Sequence, residues 1–235
     1  MKKLLAPLLL AIAASSAFAG QFTVAPLRMD LTDKAPAGSV SVTNDDAEPL
    51  RLKVSAVRWK QSAEGVDSYE PTDDVAFFPM EVEVAPGAKR VVRARIKRPA
   101  GTAETAYRLF LEEIPSAAGR VGASRLSVAV KFGVAVWHRP ATETLALSFK
   151  PESFKDGQGQ GWVVNNGNAH VRLTSLAADQ VSFGELNPWY LLPGAARKVE
   201  FKTAGPACSA ASLALVAETE EGNLPTALQG PLCAD

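Results

Sequence analysis

His138 and His170 are the only imidazoles of the chain, and neither lies in a spacing that metal ligands use. His138 stands between Trp137 and Arg139 at a strand end, and His170 follows an Asn-Asn-Gly-Asn turn. At such places a packed or solvated ring is expected rather than a general base. No Gly-x-Ser-x-Gly elbow occurs. Gly157, Gly159 and Gly161 lack the following helix whose N-terminus would hold a dinucleotide phosphate, so the run from Asp156 to Gly161 is expected to be a hairpin turn. The acidic pairs Asp73-Asp74, Glu112-Glu113 and Glu220-Glu221 are adjacent in sequence. On a strand, adjacent side chains point to opposite faces, so no pair is placed to share a proton or a metal. These residues speak against an enzyme, and they imply no cofactor.

Lys2-Lys3, the apolar run Leu4 to Ala14 and the small-residue site Ala17-Phe18-Ala19 read as a secretory signal peptide covering residues 1–19. No later stretch approaches the roughly 18 uninterrupted apolar residues of a membrane helix, so no stable membrane insertion is expected. The chain has 25 basic and 25 acidic residues, and losing Lys2 and Lys3 leaves a net charge of −2. That balance carries no footprint for nucleic acid. Export into an oxidising space favours a disulfide between Cys208 and Cys233, the only cysteines, over a metal or catalytic pair. The alternative is two buried free thiols.

The elements that must position any site are strands. From Phe22 onward the apolar period is two: Val40 and Val42 alternate with Ser39, Ser41 and Thr43, and Leu50, Leu52 and Val54 alternate with Arg51, Lys53 and Ser55. Asn44-Asp45-Asp46 carries the chemistry of a hairpin or sheet-crossing turn, and Ala85-Pro86-Gly87-Ala88 that of another. Short strands with turn signals between them indicate an all-β sandwich. After Arg139-Pro140 the pattern restarts, giving a second, smaller sandwich with a boundary near 140. No repeat of solenoid length is visible.

The longest alternation runs from Leu126 to Val136, with Leu126, Val128, Val130, Phe132, Val134 and Val136 on one face and small residues such as Gly133 and Ala135 on the other. It fits either an ordinary strand facing its own core or an edge strand whose apolar row is kept for another protein.

As a set and in this order, several motifs resemble the periplasmic pilus-assembly chaperones of the chaperone–usher pathway. They are Pro26-x-Arg28, VTND at 42–45, FFP at 77–79, PGAKRVVR at 86–93, EEIP at 112–115, the alternating strand ending His138-Arg139-Pro140, and LLPG at 191–194. The resemblance implies two immunoglobulin-like β-sandwich domains in a boomerang arrangement, an N-terminal one over 20–139 that carries the donor strand and a C-terminal one over 140–235. It implies that Leu126, Val128, Val130 and Phe132 are lent to a pilin subunit lacking its own last strand. Burying four such side chains is worth a gross ~6–12 kcal/mol before the cost of association. It also implies a basic pair in the interdomain cleft for the subunit's terminal carboxylate, of which Arg28 is the first member. The lysine expected four residues before Arg139 is Ala135 here. Arg108 and Lys131 are the basic residues nearest that gap, and Arg108 is favoured, set across from Gly133 if the hairpin closes symmetrically around Pro115 and Leu126. Glu104, Arg139 and Glu220 match the family's interdomain charge cluster. Delivery to an outer-membrane usher is implied, and the free chain could cap itself as a homo-oligomer. Ala135, YRLFLEEIP and NNGNAHVRL lie closest to the archaic branch related to spore-coat-U-type subunits.

Two other functions compete. A secreted structural or adhesive sandwich of a surface fibre would need an N-terminal donor extension, yet strand-like sequence begins at Phe22. A sugar-binding module would want exposed aromatic platforms, and Trp59, Trp137, Trp162 and Trp189 are isolated from one another in sequence.

Overall fold

The computed structural model describes residues 22–115, 129–178, 181–186, 189–203, 214–220 and 222–228. The expected leader at 1–19, and Leu126, Val128, Cys208 and Cys233, lie outside the described residues. Among those described, every regular element is a strand. The first half holds β1 (Phe22–Ala25), β2 (Arg28–Leu31), β3 (Ala37–Asn44), β4 (Leu50–Gln61), β5 (Asp67–Pro71), β6 (Val75–Phe78), β7 (Glu81–Val84), β8 (Lys89–Ile96), β9 (Thr105–Glu113) and β10 (Lys131–His138). The second half holds β11 (Leu147–Lys155), β12 (Gln158–Asn165), β13 (Val171–Ala177), β14 (Val181–Phe183), β15 (Trp189–Leu191), β16 (Ala196–Thr203), β17 (Ala214–Thr219) and β18 (Gly222–Leu228).

In the first half, a sheet ordered β1-β3-β8-β6 faces a sheet ordered β2-β10-β9-β4-β5, with β7 also paired to β4. The chain changes sheets between β1 and β2 at Pro26, which has no N–H to continue a ladder. Val40, Leu52, Val84, Val92, Leu109 and Val136 meet between the sheets and are fully buried. The even positions of β10 from 132 to 136 therefore face the molecule's own core, and the odd positions face outward from it.

The second half is one hydrogen-bonded sheet ordered β14-β16-β12-β11-β18-β17-β13-β15, joined in its middle by the parallel pair β11-β18. Strands β13 and β14 lie near opposite ends of that order yet are consecutive in the chain and touch, so the sheet curls over itself around Phe149, Val163, Val171, Phe201 and Ala217. Only Asp156 and Gly157 form the β11-β12 turn, with φ of 51° and 78°, the mirror-image turn that suits a twisted hairpin. The expected turn to Gly161 is thus corrected, because Gly159 and Gly161 are strand residues. A Cβ at Gly161 would stand 2.3 Å from Phe149 Cζ and 2.9 Å from the Lys150 carbonyl, so the aromatic core requires the bare backbone there.

Each half is fastened by one asparagine. Asn44 donates from Nδ2 to the carbonyls of Glu48 (2.8 Å) and Val84 (3.0 Å), and its Oδ1 accepts the Asp46 N–H at 3.0 Å. Asn165 donates from Nδ2 to the carbonyls of Ala169 and Leu191, both at 2.9 Å, and its Oδ1 accepts the Gly167 N–H at 2.9 Å. The backbone carbonyls of Asn44 and Asn165 accept from Gly87 and Gly194, whose φ values of 66° and 80° suit glycine.

Candidate functional site: a cationic and aromatic cleft between the halves

The outer face of β2-β10-β9-β4 turns toward the second half, where Trp59, Ala106, Ala135 and Trp137 pack with Leu192 and Tyr190. Gln61 closes this junction. Its Nε2 donates to the Tyr190 carbonyl at 2.9 Å and its Oε1 accepts the Leu192 N–H at 2.8 Å. The Ala196 N–H adds a bond to the Ala63 carbonyl at 3.0 Å.

Across this face, Arg28, Ala135 and Arg108 stand in one row. Strand β2 runs parallel to β10 with Arg28 opposite Ala135, and β9 runs antiparallel with Arg108 opposite Ala135. With strands about 4.8 Å apart, the two arginines start about 10 Å from each other across a side chain that is only a methyl group. The expected register set Arg108 against Gly133, but Gly133 faces Phe110. The slip is two residues, an even number, so Arg108 keeps its face and gains the alanine position itself. Lys131 and Glu112, paired at 3.1 Å on facing positions, hold this register together with the Glu113 N–H on the Val130 carbonyl at 2.9 Å.

Arg108 is 9% exposed. Its guanidinium lies over the Trp59 ring, 4.0 Å from the centroid, and donates from Nη1 to the Gly133 carbonyl at 3.3 Å. Among the described residues no carboxylate comes within 4.0 Å of it. Burial pushes its pKa down, opposed by Tyr69, Tyr190 and Asp67. A cation taken out of water without an ion-pair partner is costly, and an incoming anion relieves that cost. Arg28 is open to solvent by comparison, with Glu220 at 2.9 Å and Asp30 at 3.4 Å. Lys131 does not join the row. It lies four residues along β10, against Glu112 and over the Phe110 ring at 4.5 Å.

The expected trio of Glu104, Arg139 and Glu220 is split. Arg139 binds Asp30 at 2.6 Å and Glu143 at 2.7 Å, with Glu104 at 3.9 Å, while Glu220 pairs with Arg28 and Arg172. Arg28 and Asp30 lie between the two groups, so the charges form an alternating chain rather than one cluster. Glu104 is buried, and its carboxylate accepts from His170 Nδ1 at 2.9 Å and from the His170 backbone N–H at 3.2 Å. An ionised carboxylate only accepts, which assigns the proton to Nδ1. The imidazole stacks on Trp137 with centroids 3.8 Å apart. His170 is packed, as expected, but its place at the junction was not. His138 is also buried, with Nε2 3.2 Å from Asp33.

The tryptophans isolated in sequence are not all isolated in space. Trp59 lies 5.2 Å from Trp137, 6.1 Å from Trp189 and 6.0 Å from Tyr190. Trp59 and Trp137 are buried and offer no stacking face, whereas Trp189 keeps 40% of its surface in solvent.

Along β10, the Ala135 N–H bonds to the Leu27 carbonyl, and β2 pairs with residues 135–138 only. Earlier residues of β10 have no strand on that side among the described residues. Val130 is half-buried beside this edge, and Phe132 packs against the molecule's own core, 5.1 Å from Phe22.

Residues 21–143 match the family model of the pili and flagellar-assembly chaperone, PapD N-terminal domain. A chain of the CsuC–CsuE chaperone–tip adhesion subunit pre-assembly complex, from archaic chaperone–usher Csu pili of Acinetobacter baumannii, is similar in fold. Its TM-score is 0.68 at 17% identity, over 89% of this chain and 100% of that one. The Salmonella enterica SafA pilin–SafB chaperone complex gives 0.57 at 14%, over 88% and 95%. The Pseudomonas aeruginosa CupB2 chaperone gives 0.52 at 16%, over 86% and 97%. A comparison with curated proteins found no match. With its first half and the cleft face matched over more than half of its length, the chain belongs to the pili and flagellar-assembly chaperone family.

Proposed function

We propose that this chaperone works in the periplasm, holding a pilin subunit by donor-strand complementation and passing it to an outer-membrane usher. Residues 1–19 direct export, the donor-strand domain spans 20–139 and the second domain 140–235. The subunit receives the apolar row Leu126, Val128 and Val130, and its terminal carboxylate sits over Ala135 between Arg28 and Arg108. Phe132, expected to join that row, is kept by the chaperone's own core beside Phe22. Ala135, YRLFLEEIP and NNGNAHVRL support the archaic branch. The observation that carries the reading is Arg108, a buried cation without a carboxylate partner among the described residues, one alanine away from Arg28. No enzymatic activity is proposed.

The test is co-expression with the product of an adjacent subunit gene and co-purification from periplasm. Arg28→Ala and Arg108→Ala each weaken capture by at least about 2 kcal/mol, roughly thirtyfold, because each leaves a partly buried anion under-paired. Val130→Asp abolishes capture with a folded chaperone. Capture that survives Arg108→Ala but fails in Lys131→Ala moves the second anchor to Lys131. Survival in both variants removes the second anchor.

A further inference from the structure

We infer that the second half carries a binding site of its own, a polar trough that takes a short acidic oligosaccharide. It lies apart from the arginine cleft. Along β16, Ala196 bonds to the first half, whereas Lys202 is six residues, about 20 Å, farther on.

Strands β11, β12, β16 and β14 lie side by side, and three successive rows of residues cross them. The middle row is Phe154, Gly159, Phe201 and Phe183. Phe201 is 1% exposed, and Phe154 and Phe183 pack against the same core, so these rings point inward. Side chains alternate along a strand, so the rows on either side point outward. One row is Lys155, Gln158, Lys202 and Ser182, and the other holds Ser153, Gln160 and Glu200. A hollow of about 760 Å³ lies over the middle row and is bordered by both outer rows. A bulge between Pro151 and Ser153 bends β11 beside it. The outer rows stand four residues' reach from nothing apolar: they are two residues apart across the middle row and cross three strand spacings, which gives a trough about 7 Å wide and about 14 Å long.

No side chain in the two outer rows is apolar, whereas a protein partner is held by buried apolar anchors. The trough instead offers amides, hydroxyls and one carboxylate, the groups that bind the hydroxyl edges of a sugar. Gln160 donates from Nε2 to Glu200 at 3.3 Å, which fixes an acceptor beside an amide. Charge narrows the class. Lys155 and Lys202 flank Gln158, two strand spacings or about 10 Å apart, and among the described residues neither has a carboxylate within 4.0 Å. Two unpartnered cations so spaced fit carboxylates on one sugar chain, each making a charge-assisted bond. Trp162 bounds the site on one side. It lies two residues from Gln160 on the same face of β12, half-buried, with Lys150 and Lys198 as its strand neighbours. Lys198 is bound to Glu152 at 2.5 Å and stands 5.6 Å from the ring. A sugar ring has apolar C–H faces as well as polar edges, and an aromatic flank beside polar rows suits both.

The experiment titrates the purified full chain with trigalacturonic acid, its methyl ester and triglutamate. The ester has the same rings without charge, and the peptide has the charges without rings. Calorimetry reads the affinity, and the indole N–H resonance of Trp162 reads the place. Trigalacturonate is expected to bind at least about tenfold tighter than either other probe and to move that resonance. Lys155→Gln combined with Lys202→Gln, both at exposed positions, is expected to bring the acid-to-ester ratio below about three. Gln158→Ala combined with Gln160→Ala is expected to weaken acid and ester alike by at least about fivefold. Arg108→Ala is expected to leave trigalacturonate binding unchanged. Equal binding of acid and ester, or triglutamate binding as tightly as the sugar, overturns the inference. So does binding that survives the lysine substitutions, or that is lost in Arg108→Ala, which places the anion in the cleft. Absence of trigalacturonate binding overturns it as well.

Discussion

Glu104 gives the sharpest energetic test of how the cleft is held. Its carboxylate and the His170 ring are both fully buried, and it accepts from Nδ1 at 2.9 Å and from the backbone N–H of the same residue at 3.2 Å. His170 Nε2 is already buried without a partner among the described residues, so Glu104→Ala leaves the ring and the backbone N–H of His170 unpaired together. Leaving a buried donor unpaired costs about 1–3 kcal/mol, and this substitution orphans two of them. Lys60 and Glu70 provide the control: they approach more closely, 2.6 Å, but are about half exposed, so Lys60→Ala is expected to cost less than about 1 kcal/mol. Urea unfolding followed by tryptophan fluorescence reads both, since Trp137 stacks on His170. Calorimetry adds a second signature, because uncoupling the halves splits one transition into two. Glu104→Gln, which keeps an acceptor, is expected to lose less than Glu104→Ala. If Glu104→Ala costs under about 1 kcal/mol and leaves a single transition, the pair behaves as an exposed one and the reasoning from burial fails.

Two further outcomes are expected. Gly161→Ala sets a Cβ 2.3 Å from the ring of fully buried Phe149 and should cost at least about 1–3 kcal/mol in urea, and an unchanged midpoint would show that the strand can move aside. Burial and the neighbouring Asp74 push Tyr107 up to about 12, so its contribution to stability is complete below pH 10, the ordinary tyrosine value, and is lost as pH rises toward 12. Tyr107→Phe should flatten that alkaline decline in a urea–pH series, and an unaltered slope would assign the decline to other groups.

Alternation made the strands readable, because a half-buried strand writes its two faces into every second residue, as in Leu50 to Val54. The family motifs made the function readable. Three things were hidden for physical reasons. The register of β9 on β10 depends on a hairpin whose length the alternation does not specify, so Arg108 was set two residues from its true neighbour while its face was right. Glu220 was joined to Arg139 by motif position, whereas Arg28 and Arg172 bind it; a charge that reaches across a domain junction leaves no periodic trace. Trp59, Trp137 and Trp189 meet only through tertiary packing. Asp30 follows Arg28 by two on one strand face, and Asn44 with Pro86-Gly87-Ala88 is matched by Asn165 with Pro193-Gly194-Ala195.

Those matched asparagines bear on the order in which the chain can become structured. The bond from Asn44 to Val84 spans 40 residues, and the bond from Asn165 to Leu191 spans 26, with neither reaching into the other half. A polypeptide that emerges amino end first can therefore shut its first clasp once Ala88 is free, while Asn165 is still in transit. The second clasp then closes with no rearrangement of the first. What must wait is the junction, since Glu104 needs His170 and Gln61 needs Leu192. The arginine row is thus laid down by early strands, and Trp189, whose ring lies 5.8 Å from the Arg108 guanidinium, joins it only when the second half has closed.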